Sequence, residues 1–77
     1  MQERVIAIVA ECLKIPETQL SRDVLFMDTY SWDSLRHMEL IGSLEQAFTI
    51  EFTFDEIISL RSVADICRVL QRKGVGR

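Results

Sequence analysis

Residues 33–48 have the sequence DSLRHMELIGSLEQAF, and this stretch decides the fold. Its apolar residues recur at steps of three or four, the spacing that aligns side chains along an α-helix. Asp33 comes directly before the first of them, and aspartate is a favoured residue at a helix N-cap. The stretch therefore predicts a central helix over 33–48 whose wide apolar stripe consists of Leu35, Met38, Leu40, Ile41, Leu44, Ala47 and Phe48.

Gly42 lies in the middle of this predicted helix. Glycine in a helix interior costs up to about 1 kcal/mol relative to alanine. Two interpretations fit its position equally well. It permits a close contact with another helix, which a side chain would obstruct, or it is a defect that the fold tolerates.

A second amphipathic helix is predicted on the N-terminal side, over residues 2–14, where apolar positions again repeat at helical spacing. Pro16 ends it, because the residue before a proline is disfavoured in the helical conformation. Residues 16–32 then form a long connection that is rich in turn-favouring side chains. We expect this connection to pack over the helices, because it also contains Leu20, Val24, Leu25, Phe26 and Met27.

Two capping patterns follow the central helix. Thr53, with a glutamate three positions later, forms a capping box that predicts a short helix over 54–59. Ser62 begins a similar pattern, which predicts a last helix over 62–72, ended by Gly74. The sequence therefore predicts an all-α fold, a four-helix bundle with three main helices, one short helix and a long first loop.

Length and composition limit the possible classes of protein. The chain has 77 residues, which predicts a single domain over 1–77. Hydrophobic residues make up 48% and charged residues 27%, as in ordinary globular proteins. The longest apolar run, Val5–Ala10, is far shorter than the about 20 residues of a membrane-spanning helix. No signal-peptide pattern is visible, and we expect a protein of the cytoplasm. We also expect a monomer, because a single core can take up the apolar residues.

Charge and side-chain types argue against further functions. The formal net charge is -3 and no basic helix face is visible, so nucleic-acid binding is not expected. One histidine and two cysteines are too few for a metal site or a disulfide framework. Cys12 and Cys67 lie on predicted apolar faces, so we expect reduced cysteines in the core.

Catalysis by the chain itself is not expected. His37 is the only histidine, and no set of nucleophile, histidine and acid can be assembled around it. Ser34 is the notable residue, because it lies in the first turn of the central helix, directly after the long connection. Helix N-termini carry unpaired N–H groups and a partial positive charge, which favour a phosphate attached at that position.

The chain resembles the acyl carrier protein family over nearly its whole length, from the first helix to the last helix, which begins near Ser62. The resemblance is carried by the motifs Asp33-Ser34-Leu35, Met38-Glu39-Leu40 and Leu44-Glu45-x-x-Phe48-x-Ile50. The Asp-Ser-Leu triplet alone is common by chance, whereas its position, the acidic charge balance and the downstream apolar spacing are together much more specific. The fold that the resemblance implies is the family's four-helix bundle with this order of elements.

A carrier function follows from the resemblance. In this family the serine of the Asp-Ser-Leu motif carries 4'-phosphopantetheine, which implies Ser34 as the attachment residue, with Asp33 and Leu35 as cofactor-binding neighbours. A phosphopantetheinyl transferase would attach the group from coenzyme A, and its thiol would hold an acyl or aminoacyl group as a thioester. The other implied partners are a ligase or transferase that loads the cargo and downstream biosynthetic enzymes.

The surface beside the motif departs from the fatty-acid type of carrier. In that type, acidic residues on the second helix meet basic patches on partner enzymes. Here Arg36 stands at one of the acidic positions, so we expect a partner surface of Arg36, Glu39, Leu35 and Met38 with an altered charge pattern. His37 is expected to be a surface histidine with no switch role.

Trp32 is also atypical of housekeeping carriers. The run Trp-Asp-Ser-Leu-x-His-Met resembles stand-alone carriers of surface-polysaccharide or specialised-metabolite pathways, where the cargo is an amino acid, a hydroxy acid or a short acyl group. We expect the Trp32 side chain to anchor the loop on the bundle. Two alternatives stay open: an aminoacyl or peptidyl carrier, and a small helical protein-interaction module without a prosthetic group.

Overall fold

The computed structural model describes residues 1–75, which form four α-helices and no β-strand. In chain order the helices are α1 (Gln2–Leu13), α2 (Ser34–Phe48), α3 (Phe54–Ser59) and α4 (Val63–Arg72). The all-α prediction is confirmed, and every predicted helix end lies within one residue of its observed position. Two 3₁₀ turns, Glu17–Gln19 and Phe26–Asp28, interrupt the connection between α1 and α2.

The core is formed by the three longer helices, with α1 packed against both α2 and α4. Burial of an aliphatic side chain stabilises the fold by roughly 1.5–3 kcal/mol. The short helix α3 buries none of its residues fully and lies at the edge of this core. The largest fully buried side chains include Val5, Leu13, Phe26, Leu40, Leu44, Leu60, Ile66 and Leu70.

Local capping interactions fix the beginnings of α3 and α4. The Thr53 hydroxyl accepts a hydrogen bond from the Glu56 N–H at 3.2 Å, and the Glu56 carboxylate accepts one from the Thr53 N–H at 2.8 Å. The predicted capping box is therefore confirmed. The Ser62 hydroxyl accepts from the Asp65 N–H at 3.2 Å, and Gly74, with a φ of 86°, follows the end of α4.

Backbone hydrogen bonds hold the long connection against the start of α4. The Phe26 N–H donates to the Arg61 carbonyl oxygen at 2.8 Å, and the Ala64 N–H donates to the Arg22 carbonyl oxygen at 2.8 Å. These contacts place the end of the connection, and therefore the start of α2, beside the loop that joins α3 to α4.

The connection buries fewer apolar side chains than the sequence predicts. Leu20 and Phe26 are buried and Val24 is half-buried, as expected. Leu25 and Met27 are 40% and 65% exposed, so the expectation that they pack down is wrong. The tight turn at Phe26–Asp28 directs the Phe26 side chain into the core, and its two neighbours then point away from it.

The buried face of α2 is narrower than the predicted stripe. Leu40, Ile41 and Leu44 are buried, whereas Leu35 is 71% exposed and Met38 is 53% exposed. Leu35 and Met38 therefore do not share the buried side of α2 with Leu44, although all three belong to the predicted apolar stripe. In a helix of 3.6 residues per turn, a step of three residues falls about 60° short of a full turn, so each step moves the side chain by that angle around the helix axis. Three such steps lead from Leu35 to Leu44, so these two side chains lie on opposite sides of α2.

Gly42 lies on the exposed side of α2. No atom lies within 4 Å of the position that a Cβ would take, apart from the local backbone of its own helix. The interpretation of Gly42 as a close helix contact is wrong, and the residue is a tolerated defect in the helix.

Both cysteines are free. Cys67 is buried on α4, and burial raises the pKa of its thiol. Cys12 is half-buried, and its thiol donates to the Ser43 hydroxyl oxygen at 3.6 Å.

Within residues 1–75 no helix is both long enough and apolar enough to cross a membrane. The same residues contain no group of three or more His, Cys, Asp or Glu side chains that could hold a metal ion.

Candidate functional site

Ser34 is the first residue of α2 and its side chain is exposed. Asp33 precedes it in an extended conformation and caps the helix, because its Oδ1 accepts a hydrogen bond from the Arg36 N–H at 2.7 Å. The Asp33 carbonyl oxygen accepts from the His37 N–H at 2.9 Å, the first bond of the helix. Asp33 therefore fixes the geometry in which Ser34 is presented to solvent.

The backbone at Ser34 suits a phosphate group. Among residues 1–75 the N–H groups of Ser34 and Leu35 have no acceptor, as expected for the first residues of a helix. The 15-residue helix α2 also places a partial positive charge at this end. An exposed hydroxyl beside two unbonded N–H groups at a helix N-terminus fits a phosphodiester attached to Ser34.

The other serines offer less suitable hydroxyls. Four of the six serine hydroxyls are engaged within residues 1–75. The engaged residues are Ser31, which donates to the Leu13 carbonyl oxygen, Ser43, which accepts from Cys12, Ser59, which donates to the Glu56 carbonyl oxygen, and Ser62, which caps α4. Ser21 is exposed but lies in the connection, so Ser34 alone combines an unengaged hydroxyl with the start of a helix.

The predicted partner residues do not share one environment. Leu35, Met38 and Glu39 are exposed and lie on the outer side of α2. Arg36 is half-buried, and its guanidinium donates to the Cys12 carbonyl oxygen at 3.0 Å. That carbonyl belongs to the last turn of α1, where helix carbonyls lack partners within the helix. Arg36 therefore also joins the end of α1 to the start of α2.

A cavity of about 270 Å³ lies beside the start of α2. Trp32 and His37, which flank Ser34 in the sequence, form one part of its wall, and Arg61 supplies a cationic side chain. The other lining residues are Phe26, Met27, Ile58 and Leu60. The cavity is thus a partly open, mainly apolar space between the end of the connection, the first turn of α2, and α3 with the loop after it.

His37 is not the free surface residue that the sequence predicts. It is half-buried, its Nδ1 lies 3.4 Å from the Trp32 Nε1, and its Nε2 lies 3.0 Å from the Ile57 carbonyl oxygen. The Trp32 and His37 rings meet edge to face with centroids 5.9 Å apart. The expectation that His37 is a surface histidine is therefore wrong. The sequence does not indicate its contact with Ile57, because the two residues are 20 positions apart and no local pattern connects them. Trp32 is half-buried and packs against the core, as predicted.

Comparisons with known proteins identify the family and the fold of this chain. A family model described as "Phosphopantetheine attachment site" matches residues 3–70. Acyl carrier proteins from two strains of Buchnera aphidicola subsp. Acyrthosiphon pisum, Tuc7 and APS, are each 32% identical over 75 residues, which cover 97% of this chain and 94% of the relative. A solved structure from Mycobacterium tuberculosis, described as an acyl carrier protein, shares the fold. Its TM-score is 0.82 at 22% identity, with 94% of this chain and 96% of that chain covered.

Proposed function

The chain belongs to the phosphopantetheine-binding family of acyl carrier proteins, and from this premise we propose that Ser34 is the residue that carries the prosthetic group. Members of this family are carriers rather than enzymes, and 4'-phosphopantetheine is bound to them covalently. The observation that carries the proposal is the exposed, unengaged hydroxyl of Ser34 at the N-terminus of α2. Ser34, Asp33 and Leu35 form the proposed attachment site.

The proposed attachment is a phosphoryl-group transfer to the Ser34 hydroxyl. Its Oγ forms a bond to the phosphorus of coenzyme A that bears the pantetheine, and the P–O bond of the pyrophosphate breaks. The 3',5'-bisphosphorylated adenosine leaves with that bridging oxygen, and the hydroxyl proton goes to a base of the transferase. In this chain Asp33 holds the start of α2, and the unbonded N–H groups of Ser34 and Leu35 would be available to a phosphodiester on Ser34.

The attached group supplies a terminal thiol that holds cargo as a thioester. We propose an acyl or aminoacyl cargo in a specialised or surface-polysaccharide biosynthetic pathway, as the run around Trp32 suggests. The proposed partners are the phosphopantetheinyl transferase, a ligase or transferase that loads the cargo, and downstream enzymes. A cytoplasmic location, a monomeric state and a single carrier domain over 1–77 stay predictions from the sequence.

We place the docking surface for these partners on the outer face of α2, formed by Leu35, Met38, Glu39, Gly42 and Gln46. These residues recur at helical spacing and all are exposed. Glu39 is the single charged residue among them. Arg36 borders this face and is the fourth member of the predicted partner set. A surface of this composition fits a partner patch that is mainly apolar.

The test of the attachment site is the intact mass of the folded chain after incubation with coenzyme A and a broad-specificity phosphopantetheinyl transferase. We expect a gain of one phosphopantetheine in the native chain and none in Ser34→Ala. The matched control is Ser21→Ala, which removes the other exposed and unengaged serine hydroxyl and should be modified like the native chain.

Two outcomes would contradict the proposal. A folded native chain that gains no mass would leave a helical interaction module as the better interpretation. A gain that persists in Ser34→Ala and disappears in Ser21→Ala would move the attachment site to the connection.

A further inference from the structure

We propose that His37 is a positioning residue, which holds Trp32 and α3 against the start of α2 through two hydrogen bonds and so fixes how Ser34 is presented for modification. The second half of this statement rests on the proposed function. The first half concerns the unmodified chain alone and can be tested without any transferase.

Both ring nitrogens of His37 are used within the chain. An indole nitrogen is only a donor and a carbonyl oxygen is only an acceptor, so Nδ1 must accept from Trp32 and Nε2 must donate to Ile57. One protonation state serves both contacts, the neutral ring with its proton on Nε2. The geometry therefore defines the tautomer, which is an observable property of the native chain.

The two hydrogen bonds join three elements of the fold, namely the connection, α2 and α3. Helix α3 has six residues, buries none of them fully and depends on contacts at its edges. The Ile57 carbonyl lies in its last turn, where the other contact is a long one from the Leu60 N–H at 3.4 Å. His37 therefore supplies the better-placed donor to this carbonyl and ties α3 to α2.

Trp32 and His37 flank Ser34 in the sequence. Trp32 lies two residues before Ser34 and His37 three residues after it, and both line the cavity of about 270 Å³. Without the His37 contacts, the Trp32 side chain before Ser34 and helix α3 beside the cavity would no longer be held to the first turn of α2. The cap at Asp33 would remain, because it is made by the backbone N–H groups of Arg36 and His37.

The first experiment measures the tautomer of the native, unmodified chain by ¹⁵N NMR. The chain has one histidine and one tryptophan, so the imidazole and indole signals each belong to one residue. We expect the Nε2–H tautomer of the neutral ring and an indole N–H that exchanges slowly with water. A neutral ring with its proton on Nδ1 would overturn the proposal.

The second experiment separates the two hydrogen bonds by substitution. His37→Asn places an acceptor near the position of Nδ1, and His37→Gln places a donor near the position of Nε2. We expect His37→Asn to keep slow indole exchange and to speed amide exchange in α3, and His37→Gln to do the reverse. His37→Phe should speed both by about fivefold to tenfold, the effect of one hydrogen bond each.

Unchanged exchange at both sites in folded His37→Phe would reduce His37 to a packing residue and refute the proposal. If His37→Phe does not fold, the opposite effects of the Asn and Gln variants and the tautomer of the native chain still decide the question. A packing role alone would give the Asn and Gln variants similar effects at both sites.

The third experiment measures the kinetics of Ser34 modification by the transferase used above. We expect kcat to fall about threefold to tenfold in His37→Phe, with KM for the carrier within about twofold, because the outer face of α2 is unaltered. An unchanged kcat would show that His37 does not affect how Ser34 is presented, and would refute the second half of the proposal. Failure of the native chain to be modified would instead refute the proposed function and leave the NMR results standing.

Discussion

Leu35 and Met38 each expose more than half of a large apolar side chain, at 71% and 53%, immediately after Ser34. Apolar side chains that remain in water contribute little to the fold, but they stabilise a complex in which they become buried. With Glu39 as the single charge on this face, partner affinity should come from apolar burial more than from ion pairs.

Substitution at this face should weaken recognition without unfolding the chain. We expect Leu35→Ser and Met38→Ser each to raise the transferase KM for the carrier by about fivefold to thirtyfold. Losing roughly 1–2 kcal/mol of apolar burial corresponds to such a change. We expect kcat to stay nearly constant, the opposite pattern to that of His37→Phe.

The control for this prediction is Ala7→Ser, which changes an exposed apolar residue on α1 and should leave KM unchanged. Circular dichroism would establish that all three variants are folded. An unchanged KM in both Leu35→Ser and Met38→Ser would place the docking surface elsewhere.

The position of Ser34 at the start of α2 could be predicted from the sequence, whereas the width of the buried face of α2 could not. The capping signal at Asp33 is local, so the start of α2 and the exposure of Ser34 could be predicted. Leu35 and Met38 are part of the predicted apolar stripe because they continue its three-residue steps. Residues three positions apart lie at successively different angles around the helix axis, and only the packing of α1 against α2 determines which of them are buried.

At the scale of the secondary-structure elements, α2 contains a residue that lowers its stability without a visible role in packing. Gly42 has helical neighbours, an exposed position and open space where a Cβ would lie. We expect Gly42→Ala to stabilise the fold by about 0.5–1 kcal/mol, because alanine loses less backbone entropy on folding. Thermal unfolding should then shift upward by about 2–8 °C.

Gly74→Ala is the matched control for this prediction. Gly74 also has open space around it, but its φ is 86°, a conformation that residues with a Cβ disfavour. We expect that substitution to lower the unfolding temperature. A lower unfolding temperature for Gly42→Ala would indicate that Gly42 has a structural role in α2 after all.

The elements themselves could be predicted because their signals lie within a few residues of each helix end. Thr53 and Ser62 predict the starts of α3 and α4, because each caps its helix through contacts with the next turn alone. The contact between His37 and Ile57 could not be predicted, because it joins residues 20 positions apart and depends on how α3 is placed. The exposure of Met27 likewise depends on the tight turn that contains it, which carries no strong sequence signal.

At the scale of the whole molecule, the Glu56 carboxylate links α3 to the end of α4, and the Asp65 carboxylate holds the start of α4 to the residue before its cap. Glu56 on α3 forms an ion pair of 2.8 Å with Lys73 after α4. The side-chain hydrogen bond from Lys73 lowers the pKa of Glu56 below its ordinary value of 4.5, and the Thr53 N–H assists. Burial raises the pKa of Asp65, but hydrogen bonds from Arg68 and from the backbone together outweigh it, so the net pKa lies below 3.8.

These shifts determine how stability depends on pH. A carboxyl group whose pKa is lower in the folded chain than in the unfolded chain binds protons more readily when unfolded. Its contribution is therefore fully present above the unfolded value and is lost as the pH falls through the folded value. For Glu56 and Asp65 the loss begins below about pH 4.5 and pH 3.8, respectively. We expect the unfolding temperature to fall in this range, with the link between α3 and α4 weakening first.

Glu56→Gln and Lys73→Met should both reduce this pH dependence, the first by removing the titrating group and the second by removing the main cause of its lowered pKa. At pH 7 each variant should be less stable than the native chain, and the difference should shrink as the pH approaches 3. Thermal unfolding from pH 7 to pH 3 measures this convergence, with Glu17→Gln, an exposed substitution in the connection, as the control. Parallel curves for Glu56→Gln and the native chain would mean that the Glu56–Lys73 pair does not contribute to stability in solution.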